Sequence, residues 1–249
     1  MITTKEYSVK NRNRTINGVL YIPAHNVKGS VIFSHGYNGS YKHSETECTL
    51  LAEAGYYTYA FDFPGGSNSS ISTGLSTTEM TLFTEKEDLL AVFNSISSLS
   101  YIYGKPTFLL GRSQGGCVTG LLAAELKEHL PAIILYYPAF MIPEMAQKEY
   151  PVVKKIPPET EIWDMKVGKD YIASIHDLDP YKIIGNYQGR VLVLYGDRDD
   201  VVPRETIDRT METYGKAAEL MILEGEGHGF SEEGKKASVE RILGFIEHL

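Results

Sequence analysis

Five residues near the middle of the chain, Gly111-Arg112-Ser113-Gln114-Gly115, set a serine between two glycines in the pattern G-x-S-x-G. A serine hydroxyl is a weak nucleophile until a neighbouring base takes its proton. It also reaches a substrate only if the backbone lifts it clear of its own secondary structure. A sharp turn from a strand into a helix does this, and glycines on either side remove Cβ atoms that would clash there. The helix that follows points free N–H groups and the positive end of its dipole at a developing oxyanion. Here the apolar run Thr107-Phe108-Leu109-Leu110 precedes the motif and a helical pattern follows it. Ser113 is therefore the candidate nucleophile, and the N–H of Gln114, next in sequence, is a candidate oxyanion donor.

A nucleophilic serine needs a histidine as base, and the histidine needs a carboxylate to fix its tautomer. Of seven histidines, His228 alone sits in a glycine-flanked loop, Gly227-His228-Gly229, just beyond the last apolar run, Leu220 to Leu223. His248 follows it but is next to the last residue of the chain, and His25, His43, His129 and His176 come earlier, with surface or structural roles expected. Three aspartates compete for the acid in Gly196-Asp197-Arg198-Asp199-Asp200, directly after the apolar run Arg190 to Tyr195. A second oxyanion donor is expected from the early loop Ser34-His35-Gly36-Tyr37-Asn38-Gly39, at the N–H of Tyr37. His35 is expected to tie loops together with its ring. Cys48 and Cys117 form no CxxC pair, and no H-E-x-x-H motif occurs, so neither a metal nor a cofactor is expected.

Stepping these residues into place requires several elements. Glu6 to Val9 and Thr15 to Ile22 alternate as antiparallel strands do. Ser30 to Ser34, Tyr56 to Phe63, Thr107 to Leu110, Ala132 to Tyr136, Arg190 to Tyr195 and Leu220 to Leu223 are short continuous apolar runs. Helical spacing lies between them: through Leu50, Leu51 and Ala54 to a C-terminal Gly55, from Thr78 to Leu99, and from about Ser231 to Leu249. Strands buried on both faces that alternate with helices specify an α/β class, with a mostly parallel central sheet covered by helices. One stretch, about 140–181, breaks the rhythm with Pro143, Pro151, Pro157 and Pro158 and the only tryptophan, Trp163. It reads as a lid insertion over the sheet of a single domain spanning 1–249, with a hairpin turning at Val167-Gly168-Lys169.

Composition agrees with a globular protein: 43% of the 249 residues are hydrophobic and 22% charged. A net charge of -8 repels phosphate backbones and argues against a nucleic-acid partner. No stretch is long and apolar enough for a membrane span, and the N-terminus lacks a signal-like apolar segment, so a cytoplasmic location with two buried free thiols is the expectation. The oligomeric state, including a homo-oligomer, stays open.

The set HGYNGS, GRSQGG, GDRDDVVP and GHGF resembles the α/β-hydrolase superfamily, and within it bacterial cinnamoyl/feruloyl esterases and lysophospholipase-like hydrolases. The resemblance covers nearly the whole chain. It selects Asp199 as the acid, through the family pattern G-x-x-D-x-x-V-P read at Gly196, Asp199, Val202 and Pro203, and leaves Asp197 to the turn and Asp200 to solvent or a helix cap. It implies an esterase on small or medium acyl or aryl esters, hydroxycinnamates among them, with Trp163, Asp164 and Tyr171 of the insertion as candidates for holding a phenolic ring. The same triad serves acyl transfer or amide cleavage, and a ligand-binding protein can keep such a fold with little turnover.

Overall fold

The computed structural model describes all 249 residues, Met1–Leu249. The strands are β1 (Thr3–Asn11), β2 (Arg14–Ile22), β3 (Gly29–Ser34), β4 (Tyr56–Phe61), β5 (Thr107–Arg112), β6 (Ala132–Tyr136), β7 (Glu159–Ile162), β8 (Met165–Gly168), β9 (Arg190–Gly196) and β10 (Ala218–Leu223). The helices are α1 (Glu45–Glu53), α2 (Leu82–Ser97), α3 (Gln114–Leu126), α4 (Ile142–Glu149), α5 (Lys169–Ala173), α6 (Pro180–Ile184), α7 (Arg204–Tyr214) and α8 (Glu232–Ile246). Eight strands form one sheet in the order β1-β2-β4-β3-β5-β6-β9-β10. β1 and β2 pair antiparallel to each other, β2 pairs antiparallel to β4, and every later pairing is parallel.

The apolar runs explain the centre of this sheet. β3, β4 and β6 are buried along their whole length, as strands covered on both faces must be. β10 is one edge and is half-exposed, with Ile222 at 44%. The chain moves from β3 to β4 on one side and then to β5 on the other. Right-handed crossovers therefore place α1 and α2 on opposite faces, and α1 packs with α8 while α2 packs with α3. That reversal opens a crevice at the C-terminal ends of β3 and β5, the place where open α/β sheets bind ligands.

Helix ends follow their capping chemistry. α2 starts at Leu82 because Thr81 and Thr84 form a reciprocal capping box, which leaves 78–81 outside the expected helix. Ser231 caps α8 by accepting from the Gly234 N–H.

β6 and β9 are neighbours, so the residues between them, 137–189, form an excursion that leaves and re-enters the sheet at adjacent strands. It carries α4, the β7–β8 hairpin, α5 and α6. The hairpin turns at Trp163-Asp164 and not at Gly168. Both turn residues have positive φ, 43° and 59°, as a type I′ turn requires. Gly168 pairs with Glu159 and precedes α5, and a Cβ there would collide with the Thr78 carbonyl oxygen. It is a glycine for close packing.

Candidate active site

Ser113 sits between β5 and α3 with φ 53° and ψ −120°, a conformation that costs a non-glycine residue on the order of 1–3 kcal/mol. Three hydrogen bonds hold it there: its N–H donates to Tyr136 O at 2.9 Å, and its carbonyl accepts from Cys117 N at 3.1 Å and Ala139 N at 3.0 Å. The flanking glycines are dictated by contact. A Cβ on Gly115 would run into the carbonyl oxygens of Ser34 and His35, and one on Gly111 into the Gly115 carbonyl and the Thr119 hydroxyl.

His228 lies in the loop after β10 and Asp199 in the loop after β9. His228 Nε2 is 3.1 Å from Ser113 Oγ, and Nδ1 is 3.0 Å from Asp199 Oδ2 and 3.2 Å from Oδ1. An ionised carboxylate only accepts, so this network assigns the proton to Nδ1 and leaves Nε2 free to accept from the serine. The Asp199 side chain is fully buried, and its Oδ1 also accepts the N–H groups of Val201 at 2.9 Å and Val202 at 2.8 Å. Asp197 accepts the Gly225 N–H at 2.6 Å and so pins the acid loop to the histidine loop, while Asp200 is exposed. Tyr137, at φ 36°, lays its ring 4.5 Å from the His228 imidazole, backed by Phe230 at 5.1 Å.

The N–H of Tyr37 has no acceptor within the protein, and that of Gln114 opens α3, where no intrahelical acceptor exists. Both residues wall the same cavity as Ser113. His35 behaves as a tie: Nδ1 donates to Gly36 O at 2.7 Å, Nε2 accepts from Phe63 N at 3.0 Å, and burial lowers its pKa.

Behind the serine runs a chain of side chains that the motifs do not announce. The Tyr171 hydroxyl donates to Gln114 Oε1 at 2.7 Å, and Gln114 Nε2 donates to Glu85 Oε2 at 2.9 Å. Burial pushes the Glu85 carboxyl up to about 8, partly offset by the Gln114 hydrogen bond. Its sequence signal was its place one turn from Leu82 and Leu89, on the buried face of α2. Tyr37 is anchored as well: its hydroxyl donates to Ile162 O at 3.0 Å, with Met165 O at 3.4 Å. The side chains of both candidate oxyanion residues thus attach to the excursion.

Two recesses meet at Ser113. The larger, about 570 Å³, runs under the excursion between α4, the hairpin and α5, and its wall is mostly apolar. The smaller, about 320 Å³, includes His228, His43, Asn38 and Arg112. Tyr171 is buried in the wall of the larger recess and Trp163 stands 58% exposed at its margin. Asp164, by contrast, lies at the exposed hairpin turn and does not line the cavity. No three His, Cys, Asp or Glu side chains converge as a metal site, and no helix is long and apolar enough to cross a membrane.

Residues 25–177 match the family model described as serine aminopeptidase, S33, and residues 177–248 match that described as TAP-like protein. None of the curated proteins matches this sequence. Among solved structures, Est1E from Butyrivibrio proteoclasticus with ferulic acid bound is 25% identical, with a TM-score of 0.87 over 97% of this chain and 98% of that one. The Pyrococcus furiosus esterase PF2001 is 18% identical, with a TM-score of 0.77 over 99% of this chain and 91% of that one, a likeness of fold alone. The mostly parallel eight-stranded sheet and the family match over more than half of its length agree: this chain is an α/β hydrolase and belongs to the serine aminopeptidase S33 family.

Proposed function

We propose that the protein is a serine carboxylic-ester hydrolase that works through an acyl-enzyme. The observation that carries this reading is the line Ser113–His228–Asp199 at 3.1 and 3.0 Å, set beside two N–H groups without protein acceptors. His228 Nε2 takes the Oγ proton as Oγ bonds to the ester carbonyl carbon. The carbonyl oxygen becomes an oxyanion and is held by the N–H groups of Tyr37 and Gln114. The C–O bond to the alcohol then breaks, and Nε2 returns the proton to the departing oxygen. Water, deprotonated by the same nitrogen, releases the acid and restores Ser113. Asp199 stays ionised throughout and stabilises the imidazolium.

Ester cleavage fits the site better than aminopeptidase action does. Holding a peptide's free ammonium calls for an acceptor near the serine, whereas the buried wall beside Ser113 is apolar and the carboxylates of Glu149 and Glu161 are exposed. Likeness to a ferulate-binding esterase supports the same choice of bond.

The test pairs a short chromogenic ester with a fluorophosphonate label. Wild type is expected to turn over the ester and to be labelled at Ser113. Ser113→Ala should lose several orders of magnitude in kcat and all labelling. Equal turnover by the two proteins would overturn the reading.

A further inference from the structure

The two recesses at Ser113 divide an ester between them, and from their linings we infer that the larger one is an acyl chamber for plain aliphatic chains of medium length. This inference rests on the hydrolase reading above and names its substrate class.

The assignment of halves follows from the proton's path. The departing alcohol oxygen must come within reach of His228 Nε2, which protonates it. His228 lines the smaller recess and does not line the larger one. The alcohol therefore leaves through the smaller recess, beside Asn38, His43 and Arg112. The acyl group, still bonded to Ser113 Oγ, extends into the larger recess beneath the excursion.

The chemistry of that chamber is aliphatic. Its buried wall is Ala139, Met141, Ala146, Tyr171, Ile172 and Ile175. The hydroxyl groups along the wall are already hydrogen-bonded. Tyr171 gives its proton to Gln114, Tyr37 gives its proton to the hairpin carbonyls, and Tyr150 shares a hydrogen bond with Thr160 at 3.3 Å. Lys148, Glu149 and Glu161 are exposed and belong to the mouth. The depth of the chamber thus offers no carboxylate, and the phenolic protons of Tyr37 and Tyr171 are committed elsewhere. Asp164, the one insertion carboxylate that the sequence put forward for a phenol, is outside the wall.

Two consequences follow from general energetics. A pocket whose buried wall is mostly apolar, with no carboxylate to accept a proton, gives little to a substrate hydroxyl, which must give up water on entering. Each methylene it buries is worth about fourfold in kcat/KM. A volume of about 570 Å³ corresponds to roughly nineteen water-sized units. A chain of about eight carbons, each methylene close to one such unit, fills under half of it.

The experiment measures kcat/KM of wild type on p-nitrophenyl acetate, butyrate, hexanoate and octanoate. It also compares methyl cinnamate with methyl 4-hydroxycinnamate, which differ only in the phenolic hydroxyl. The expected result is a rise on the order of a hundredfold from acetate to hexanoate, with no gain from the hydroxyl. Ala146→Phe, which fills the chamber, should lower the octanoate-to-acetate ratio at least about tenfold, with thermal unfolding checking that the variant is folded. A second, shorter filling, Ala139→Val, repeats the test if the first variant fails to fold. A flat chain-length profile, a ratio unmoved by filling, or a tenfold gain from the hydroxyl would each overturn the assignment. Fluorophosphonate separates the two levels. A labelled Ser113 with a flat profile removes only the acyl chamber, while an unlabelled Ser113 with every ester inert removes the hydrolase reading and this inference together.

Discussion

Asp199 holds more than the charge of the site. Its Oδ1 is fixed by the N–H groups of Val201 and Val202, so its orientation is set before any substrate arrives. Asp199→Asn would keep its carbonyl oxygen on those two donors and turn its amide N–H toward His228 Nδ1. That reverses the tautomer, placing a proton on Nε2 where the serine needs an acceptor. The expected result is a fall of about 10⁴-fold in kcat with KM little changed, measured on a short ester. The same contacts show why the residue was hard to single out. Asp197, Asp199 and Asp200 have equal claims by spacing after β9, and only likeness to G-x-x-D-x-x-V-P favoured the middle one. What separates them is a pair of backbone donors two and three residues later, which no residue type announces. Ser113 and His228 were legible because glycines on both sides mark a backbone that must bend or approach closely.

At the scale of elements, hydrogen bonds tie the excursion to both candidate oxyanion residues, Tyr37 and Gln114. Tyr171, in α5, reaches Gln114, and Gln114 reaches Glu85 in α2. Tyr171→Phe keeps the ring that packs against Tyr37 at 5.9 Å and removes only the hydroxyl. Gln114 Oε1 is then left buried without a donor, at a cost of about 1–3 kcal/mol. If Gln114 relaxes to recover a partner, its N–H shifts away from the oxyanion. Steady-state kinetics should show kcat down about tenfold with KM nearly unchanged, because an oxyanion donor acts on the transition state more than on the bound ester. A change in thermal stability with unaltered kcat would show the hydroxyl to be structural only. The excursion's internal layout was poorly legible. Its prolines revealed an interruption, but the hairpin turn lies at Trp163-Asp164, where left-handed conformations fall on two non-glycine residues, and the glycine that suggested a turn is there to let Thr78 approach.

The whole molecule carries an acid load in its interior that ties stability to pH. Glu85 is buried, and loss of water raises its carboxyl to about 8 from an ordinary 4.5; Asp88, one turn further along α2, is raised to about 6 for the same reason despite the nearby Arg14. A carboxyl whose folded value lies above its unfolded one adds stability that is fully present below about 4.5 and is lost as pH rises through about 8. Glu85→Gln removes this titration and keeps an oxygen for Gln114 Nε2. The unfolding free energy of the variant relative to wild type, measured by denaturant melts, should therefore climb between pH 5 and pH 8 and level off above, a swing on the order of a few kcal/mol. A constant difference across that window would show that Glu85 does not titrate there. At this scale the sheet was the most legible feature, since strands covered on both faces write themselves as unbroken apolar runs. The order in which they lie side by side was not, because β4 reaches its place between β2 and β3 through contacts distant in sequence.

The Tyr37 hydroxyl donates to main-chain carbonyls of the hairpin and to no side chain there. Main-chain carbonyls survive almost any mutation. The hydrogen-bonded part of the grip between the candidate oxyanion loop and the hairpin is therefore indifferent to which residues the hairpin carries, although the Trp163 ring also meets that of Tyr37 at 6.0 Å. The hairpin lies between strands that already pair with each other, β6 and β9, so the sheet registers none of this change. Residues on one surface segment can thus change while the backbone hydrogen bonds that reach it from Tyr37 stay in place.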